Sequence, residues 1–163
     1  MKTIYLIRHA KSSWKEPNQL DHERPLNKRG KRDFPLIAKQ LNKINITPEL
    51  IVCSNSQRTK DTVKLLCKEI NYPIKDVKYD STIYEASLVS LIEVVNTLPR
   101  NYNEIVIIGH NPSITLLSNY LTNDNIDHMP TSGVVKIDLE VEDWNEVIQG
   151  IGLKKFFIYP KML

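Results

Sequence analysis

Short apolar runs rich in β-branched residues alternate along this chain with longer segments in which apolar residues recur at helical spacing. The apolar runs occupy residues 3–7, 50–53, 77–79 and 104–109. Strands that are separated by helices pair in parallel, and the helices then cover both faces of the sheet. The sequence therefore predicts a three-layer α/β/α fold with a mostly parallel central sheet, in a single domain over residues 1–163.

Residues that favour helix N-termini indicate where the helical segments begin. Four of them stand just before such segments: Asn27, Ser56, Ser87 and Asn111. The helix after Asn27 contains Pro35, which predicts either a kink or a late start near Asp33. Pro112 would take the first position of the helix that Asn111 caps.

The last part of the chain has a different pattern. Three β-rich runs, at residues 134–139, 147–149 and 155–158, follow one another without a helical segment between them. Strands in direct succession commonly pair antiparallel. We therefore expect an antiparallel edge strand on the otherwise parallel sheet.

The composition narrows the class of protein. Lys and Arg number 22 and Asp and Glu 19, and a net charge of +3 is too small to indicate nucleic-acid binding. No apolar run is long enough to span a membrane, and Arg8 interrupts the first one. Cys53 and Cys67 cannot form a disulfide framework, and they suit a reducing compartment. We expect a monomeric cytoplasmic protein with neither a nucleic-acid nor a membrane partner.

The charge is unevenly distributed. Residues 1–32 contain nine Lys and Arg and three acids, so they carry +6 and leave −3 for the remainder of the chain. A basic segment on a nearly neutral protein indicates either an anionic ligand or a solvated charged face.

Histidine and arginine follow three of the predicted strands. Arg8-His9 comes after the first, Ser54 and then Arg58 come after the second, and Gly109-His110 follows the run at 104–109. Ligands bind beyond the carboxyl ends of parallel strands, so these side chains should meet at one edge of the sheet. Guanidinium groups bind phosphate oxygens, and imidazole can act as a nucleophile or proton carrier. Together they predict a phosphoryl-transfer site that uses neither a metal nor a cofactor.

These motifs resemble the histidine phosphatase (phosphoglycerate mutase-like) superfamily. The resemblance lies in Leu6-Ile7-Arg8-His9-Ala10, in an S-x-x-x-R-x-x-x-T element around Arg58, in an acidic residue at Glu85, and in Gly109-His110. The order and spacing agree over nearly the whole chain, which implies a phosphoglycerate mutase-like fold.

Within the superfamily, the chain is most similar to the small phosphohistidine phosphatases of the SixA type. The runs that carry this similarity are Arg8-His9-Ala10-Lys11-Ser12-Ser13-Trp14, Asp21-His22-Glu23-Arg24-Pro25-Leu26-Asn27-Lys28-Arg29-Gly30, Gly109-His110-Asn111-Pro112 and Thr131-Ser132-Gly133. The mutase pattern R-H-G-E-S-x-W-N is not kept, since Ala10, Lys11 and Lys15 replace its Gly, Glu and Asn. The replaced Asn helps to bind phosphate in mutases, so this difference argues against a mutase.

The resemblance implies a covalent phosphohistidine mechanism. His9 would be the nucleophile, and Arg8, Arg58 and a protonated His110 would hold the phosphoryl oxygens. Glu85 is the candidate general acid for the leaving group, with a capping or solvated role as the alternative.

Four further residues are candidate phosphate or substrate contacts. They are Ser12, Arg24, Asn111 and Lys15. For Arg24 the alternative is an ion pair with Asp21 that fixes the loop. His22 and His128 lack ligand-like spacing and are interpreted as surface residues.

The substrate class follows from spacing and from the resemblance. Only 27 positions separate Arg58 from Glu85, which leaves no room for a large cap over the site. An open basic site suits phosphohistidine on a protein, with a histidine phosphotransfer domain as a candidate partner. Small phosphate esters are the alternative substrates.

Two other interpretations remain open at the level of sequence. Cys53 and Arg58 flank a strand-to-helix loop like that of tyrosine phosphatases, but four residues separate them where that loop needs five. Alternatively, the pocket could bind phosphorylated proteins without turnover, as a non-catalytic module.

Overall fold

Six strands and four helices make up the regular structure, and the computed structural model describes all residues 1–163. The strands are β1 (Lys2–Arg8), β2 (Leu50–Cys53), β3 (Lys78–Tyr79), β4 (Glu104–Gly109), β5 (Val134–Leu139) and β6 (Gly152–Ile158). The helices are α1 (Lys28–Lys43), α2 (Gln57–Ile70), α3 (Leu88–Asn96) and α4 (Ser113–Thr122).

The strands form one sheet in the order β3-β2-β4-β1-β5-β6. The first four pair in parallel, and β5 runs antiparallel to both of its neighbours. The predicted fold class is therefore confirmed, with one refinement. The strand that runs against the others is β5, which lies second from the edge because β6 pairs with its outer side.

Successive side chains of the central strands point to opposite faces of the sheet, so the apolar residues form two cores, one on each face. In β1, Ile4 and Leu6 pack with α3 and α4, whereas Tyr5 and Ile7 pack with α1 and α2. A strand that is apolar throughout is the expected signature of a sheet covered on both sides. This arrangement leaves the ends of the strands as the place where polar groups can gather.

Helix α1 begins at Lys28, so the late start that Pro35 predicted is wrong. The side chain of Asn27 accepts a hydrogen bond from the backbone of Gly30 at 2.9 Å and fixes the first turn. Phe34 and the rest of the apolar stripe are fully buried. That burial offsets the backbone hydrogen bond that Pro35 removes.

The first turn of α1 lies directly against the chain that follows β1. A Cβ on Gly30 would overlap the backbone of Lys11, so only glycine permits this approach. The amide of Asn27 in turn donates to the carbonyl of Lys11 at 3.0 Å. These contacts anchor the loop that leaves β1 and determine where its side chains lie.

Two local predictions are corrected. Helix α4 begins at Ser113 with Pro112 at the cap position, and Asn111 is not its N-cap. The side chain of Asn111 instead donates to the carbonyl of Met129 at 2.9 Å. Residues 147–149 are not a strand, because Val147 closes a 3₁₀ turn and β6 alone pairs with the outer side of β5.

None of the helices combines the length and the apolar character that crossing a bilayer requires.

Candidate active site

The register of two central strands brings the two histidines together. Arg8 at the end of β1 pairs with Gly109 at the end of β4, so His9 and His110 leave the sheet side by side. Their ring centroids are 5.3 Å apart, and the backbone amide of His9 donates to the carbonyl of Gly109 at 3.2 Å. Both side chains are almost fully buried, as expected for groups at the carboxyl edge of a covered sheet.

A single hydrogen bond determines which ring nitrogen of His9 keeps its lone pair. Nδ1 lies 2.7 Å from the carbonyl oxygen of Ala10. A carbonyl oxygen can only accept, so Nδ1 must carry the proton and Nε2 of the neutral ring keeps its lone pair. The imidazole is therefore held in the tautomer in which Nε2 is the nucleophilic atom.

Burial determines the protonation of both rings. Loss of water around His9 lowers its pKa to about 3, and the positive charges of Arg58 and Arg8 act in the same direction. Burial and then the charge of Arg58 likewise lower the pKa of His110 to about 3. The protein surroundings thus favour neutral imidazoles at physiological pH.

Arg58 projects from the first turn of α2. Ser56 caps this helix and accepts from the backbone of Thr59 at 3.4 Å. One turn after Arg58, the hydroxyl of Thr62 donates to the Arg58 carbonyl at 2.7 Å and accepts from the Ala10 amide at 3.0 Å. Thr62 therefore couples the position of Arg58 to the segment that carries His9.

Both terminal nitrogens of Arg58 are bound to one residue. Nη1 donates to the backbone oxygen of Asp21 at 2.8 Å, and Nη2 donates to its carboxylate at 3.0 Å. The hydroxyl of Tyr84 donates to the same carboxylate at 2.6 Å, and its ring stands edge-on to His110 with centroids 5.5 Å apart. Asp21 and Tyr84 thus hold Arg58 beside the histidine pair.

Arg24 forms a second cationic wall. Its Nη2 donates to the hydroxyl of Ser12 at 2.7 Å, and its guanidinium carbon lies 3.4 Å from the centre of the Trp14 ring. Its Nε is 3.3 Å from Asp21 Oδ1, although not in hydrogen-bond alignment. Arg24 therefore contacts Asp21, as one of the two alternatives predicted, and it also lines the cavity, whereas its contact with phosphate stays a prediction.

These groups surround a cavity of about 250 Å³. The residues that line it are Arg8, His9, Lys11, Ser12, Trp14, Asp21, Arg24, Arg58, His110, Asn111 and Thr131. Several buried nitrogens at this cavity have no hydrogen-bond partner in the protein: Arg8 Nε, Arg24 Nε and Nη1, and His110 Nδ1. Buried donors are usually paired, so this group indicates a site for an anion with several oxygens.

The family model for the histidine phosphatase superfamily, branch 1, matches residues 4–91. The chain belongs to this superfamily. The matched segment contains His9, Arg58 and Glu85, and Gly109-His110 lies beyond it.

Solved structures with SixA-type histidine phosphatase folds superpose on nearly the whole chain. One, assigned as the phosphohistidine phosphatase SixA of Agrobacterium tumefaciens, has a TM-score of 0.84 with 22% identity and covers 98% of each chain. Another, the protein histidine phosphatase SixA complexed with tungstate, has a TM-score of 0.83 with 18% identity and the same coverage. At these identities the comparison establishes the SixA-type fold.

Sequence relatives carry no assigned activity. An uncharacterized protein of Mycobacterium tuberculosis is 26% identical over 95% of this chain and 100% of its own length. An uncharacterized chloroplastic protein of Arabidopsis thaliana is 36% identical over 70 residues, which are 43% of this chain and 32% of that protein. The present chain therefore matches only about a third of the length of the Arabidopsis relative.

Among the candidate site residues that the sequence predicted, Glu85 and Lys15 lie outside the cavity. Glu85 is exposed and sits in a left-handed backbone conformation with φ of 54°. The preceding residue, Tyr84, contacts Asp21 and His110. Lys15 is exposed and lines a larger cavity of about 500 Å³ near the start of α1, which contains neither histidine.

Ser12 and Asn111 do line the cavity, although both are already engaged. The Ser12 oxygen accepts from Arg24, which leaves its hydroxyl proton available to a ligand. The Asn111 side chain donates to Met129 and accepts from Thr115 at 2.6 Å. It holds the segment around Met129, whose carbonyl also accepts from Arg8 at 2.8 Å.

The remaining histidines differ from each other. His128 is exposed, as expected, but His22 is half-buried and packs edge-on against Tyr84 with centroids 4.7 Å apart. Its Nε2 lies 3.0 Å from the side-chain oxygen of Asn55. His22 thus supports the Tyr84 ring, so its interpretation as a surface residue is wrong.

Sequence reasoning missed Asp21 and Tyr84 as members of the site, and Lys11 and Thr131 as lining residues. The spacing of Asp21 and Arg24, three residues apart, was the one available signal, since it indicated an ion pair. Nothing local in the sequence placed Tyr84 beside His110, because that contact joins segments far apart in the chain.

The cysteine-based alternative does not fit the structure. Cys53 is fully buried, and its Sγ donates to the carbonyl of Thr59. Burial raises the pKa of the Cys53 thiol well above its usual range, which suppresses the reactive thiolate. Cys53 is therefore a packing residue at the end of β2.

Proposed function

We propose that this chain is a phosphatase that forms a covalent phosphoryl intermediate on His9, and that it acts on phosphohistidine in proteins. The observation that carries the proposal is the His9 imidazole itself. It is neutral, its Nδ1 proton is bound to Ala10, and it stands beside buried guanidinium donors that no protein group satisfies. A nucleophile and an anion site that line the same cavity are what phosphoryl transfer requires.

In the first step, Nε2 of His9 attacks phosphorus and the bond to the leaving group breaks. The ring gains a positive charge, and the hydrogen bond from Nδ1 to Ala10 O stabilises it. Water then attacks phosphorus, which releases phosphate and restores the neutral imidazole. Dividing one displacement into two gives each step an easier barrier.

The guanidinium groups supply most of the charge stabilisation. Arg8 and Arg24 have buried nitrogens without hydrogen-bond partners in the protein, and Arg58 is fixed by its contacts with Asp21. Donors that are already in place need no reorganisation when charge develops on the phosphoryl oxygens. Removing one such donor typically costs about 10²–10³ in rate.

The charge of His110 should depend on the substrate. The sequence predicts a protonated ring that holds phosphoryl oxygens, whereas the protein surroundings alone favour the neutral form, with a pKa lowered to about 3. A phosphoryl dianion placed beside the ring opposes that shift, because a nearby negative charge favours imidazolium. We therefore expect His110 to take up its proton together with the substrate.

The open form of the site favours a substrate carried on a protein. Helix α2 ends at Ile70, and only a 3₁₀ turn precedes β3, so no inserted subdomain covers the cavity. Trp14 lies at its rim with 73% of its surface exposed. Two of the solved structures with this fold are named as phosphohistidine or protein histidine phosphatases, which supports the same substrate class. A histidine phosphotransfer domain is the candidate partner.

The direct test compares substrates. The purified protein is incubated with a phosphohistidine-containing protein and, separately, with small phosphate esters, and released phosphate is measured. We expect faster turnover of phosphohistidine than of the esters, complete loss of activity in His9→Ala, and full activity in the control His128→Ala, whose side chain is exposed.

Faster turnover of the esters would favour the small-ester alternative. Binding without any turnover would favour a non-catalytic module. The monomeric state and the cytoplasmic location stay predictions.

A further inference from the structure

Asp21 carries the only carboxylate that lines the cavity around His9. Its side chain is 45% exposed, whereas those of Arg58 and Arg24, which it contacts, are 9% and 8% exposed. The carboxylate therefore lies on the open side of the cavity, and His9 lies on the buried side. In an in-line displacement the leaving group departs on the side away from the nucleophile, which here is the open side.

The neighbours of Asp21 keep its carboxylate ionised. The Tyr84 hydroxyl donates to it at 2.6 Å, and Arg58 Nη2 donates to it at 3.0 Å. The Tyr84 hydrogen bond and then the charge of Arg58 lower the pKa of Asp21 below its usual range. An ionised carboxylate can accept a hydrogen bond at the mouth of the site but cannot donate a proton.

Resting on the proposed function, we propose that Asp21 recognises the leaving group by accepting a hydrogen bond from the ring N–H of the substrate phosphohistidine. A carboxylate beside the ring favours its protonated form, in which one nitrogen carries phosphorus and the other carries a proton. Asp21 is then a catalytic residue that contacts the reacting ring.

The bond changes balance without any further proton donor. Nε2 of His9 forms a bond to phosphorus, and the electron pair of the breaking P–N bond returns to the substrate ring. Because the other nitrogen of that ring keeps its proton, the ring leaves as neutral imidazole rather than as an anion. Each imidazole then has its N–H bound to an acceptor: Ala10 O for His9, and the Asp21 carboxylate for the substrate.

The same geometry discriminates against phosphate esters. An alkyl ester leaves as an alkoxide and needs a proton donor at the mouth of the cavity. Glu85 lies outside the cavity, Asp21 is ionised, and His110 lies with His9 on the buried side, so none of them supplies a proton at the mouth. The site is therefore matched to a leaving group that brings its own proton, which is the chemistry of a protonated phosphohistidine.

The test uses Asp21→Asn with three measurements: kcat/KM for a phosphohistidine peptide, kcat/KM for 4-nitrophenyl phosphate, and the affinity for inorganic phosphate. We expect at least about a tenfold loss with the peptide, the usual cost of a charge-assisted hydrogen bond. Nitrophenolate is a good leaving group that needs no such contact, so 4-nitrophenyl phosphate should lose only what a loosened Arg58 costs, and the peptide should lose at least about tenfold more. The affinity for inorganic phosphate measures how far Arg58 itself is disturbed in the variant. Glu23→Gln, in the same 3₁₀ turn but exposed and outside the cavity, is the matched control and should behave as the wild type.

Equal losses on both substrates, together with weaker phosphate binding, would show that Asp21 only positions Arg58 and would overturn the inference. Unchanged activity on the peptide would overturn it as well. Failure of the wild-type protein to hydrolyse the phosphohistidine peptide would instead refute the proposed function and this inference with it.

Discussion

The two buried histidines should make the stability of the protein depend on pH below neutrality. Each has a folded-state pKa of about 3 against an ordinary value of 6.5. Between these values the unfolded chain binds protons on both rings and the native state does not, so stability falls as the pH drops below about 6.5. Above pH 6.5 both states carry neutral rings, and the two histidines contribute no pH dependence.

The size of this loss follows from the shift. A pH of 5 is about 1.5 units below the unfolded-state pKa of each histidine. Each ring therefore lowers the free energy of unfolding by about 2 kcal/mol at that pH, and the pair lowers it by about 4 kcal/mol. Replacing one ring by an asparagine, which does not titrate, removes about half of the loss. The double variant His9→Asn/His110→Asn should retain only the pH dependence that the other groups of the protein cause.

Urea unfolding at pH 7.5 and at pH 5.0 measures these differences, with each variant compared with the wild type at both values. Background titration of carboxylates is common to all the variants and cancels in the comparison. If the free energy of unfolding fell by the same amount between pH 7.5 and pH 5.0 in the wild type and the double variant, the conclusion that the fold holds these imidazoles neutral would be refuted. A control variant, His128→Asn, should show the wild-type loss, because its side chain is exposed.

Three further outcomes are expected. Arg58→Ala should lower kcat/KM by about 10² or more. The double variant with Arg8→Ala should lose less activity than the product of the two single fold-losses, because both groups act on one transition state. A fold-loss equal to that product would contradict the shared role. Alkylating reagents should leave activity intact, because both Cys53 and Cys67 are buried. If these reagents inactivated the wild type but not Cys53→Ala, the result would support the cysteine-based alternative. Glu85→Gln should change the rates for ester and phosphohistidine substrates by less than about twofold, since its side chain lies outside the cavity; a larger loss would restore its role as the general acid.

The regular elements could be predicted from the sequence because their signals are local. The period of apolar residues located the strands and helices, and Ser56 and Ser87 cap their helices as expected. Parallel pairing then placed His9 and His110 at one edge, since both follow central strands. The start of α1 was missed because Pro35 is a local signal, whereas the burial that overrides it depends on the whole fold.

The parts of the site that escaped prediction depend on contacts between distant segments. Tyr84 and Asp21 meet across 63 positions of the chain, so their hydrogen bond has no signature in either segment alone. Glu85 was assigned by its place in the superfamily pattern, but its side chain is exposed outside the cavity, and the neighbouring Tyr84 contacts Asp21 and His110 instead. The charge of the site and the ion pair between Asp21 and Arg24 could be predicted, whereas the contacts of Asp21 with Arg58 and Tyr84 could not.

The central claim is that His9 carries the phosphoryl group during turnover. Its most direct test is to quench the reaction with a labelled phosphohistidine protein in base, digest the enzyme, and locate the label by mass spectrometry. The account predicts an acid-labile, base-stable label on His9, absent from His9→Ala and retained in His128→Ala. Turnover without any labelled enzyme, or a label on another residue such as Cys53, would contradict it.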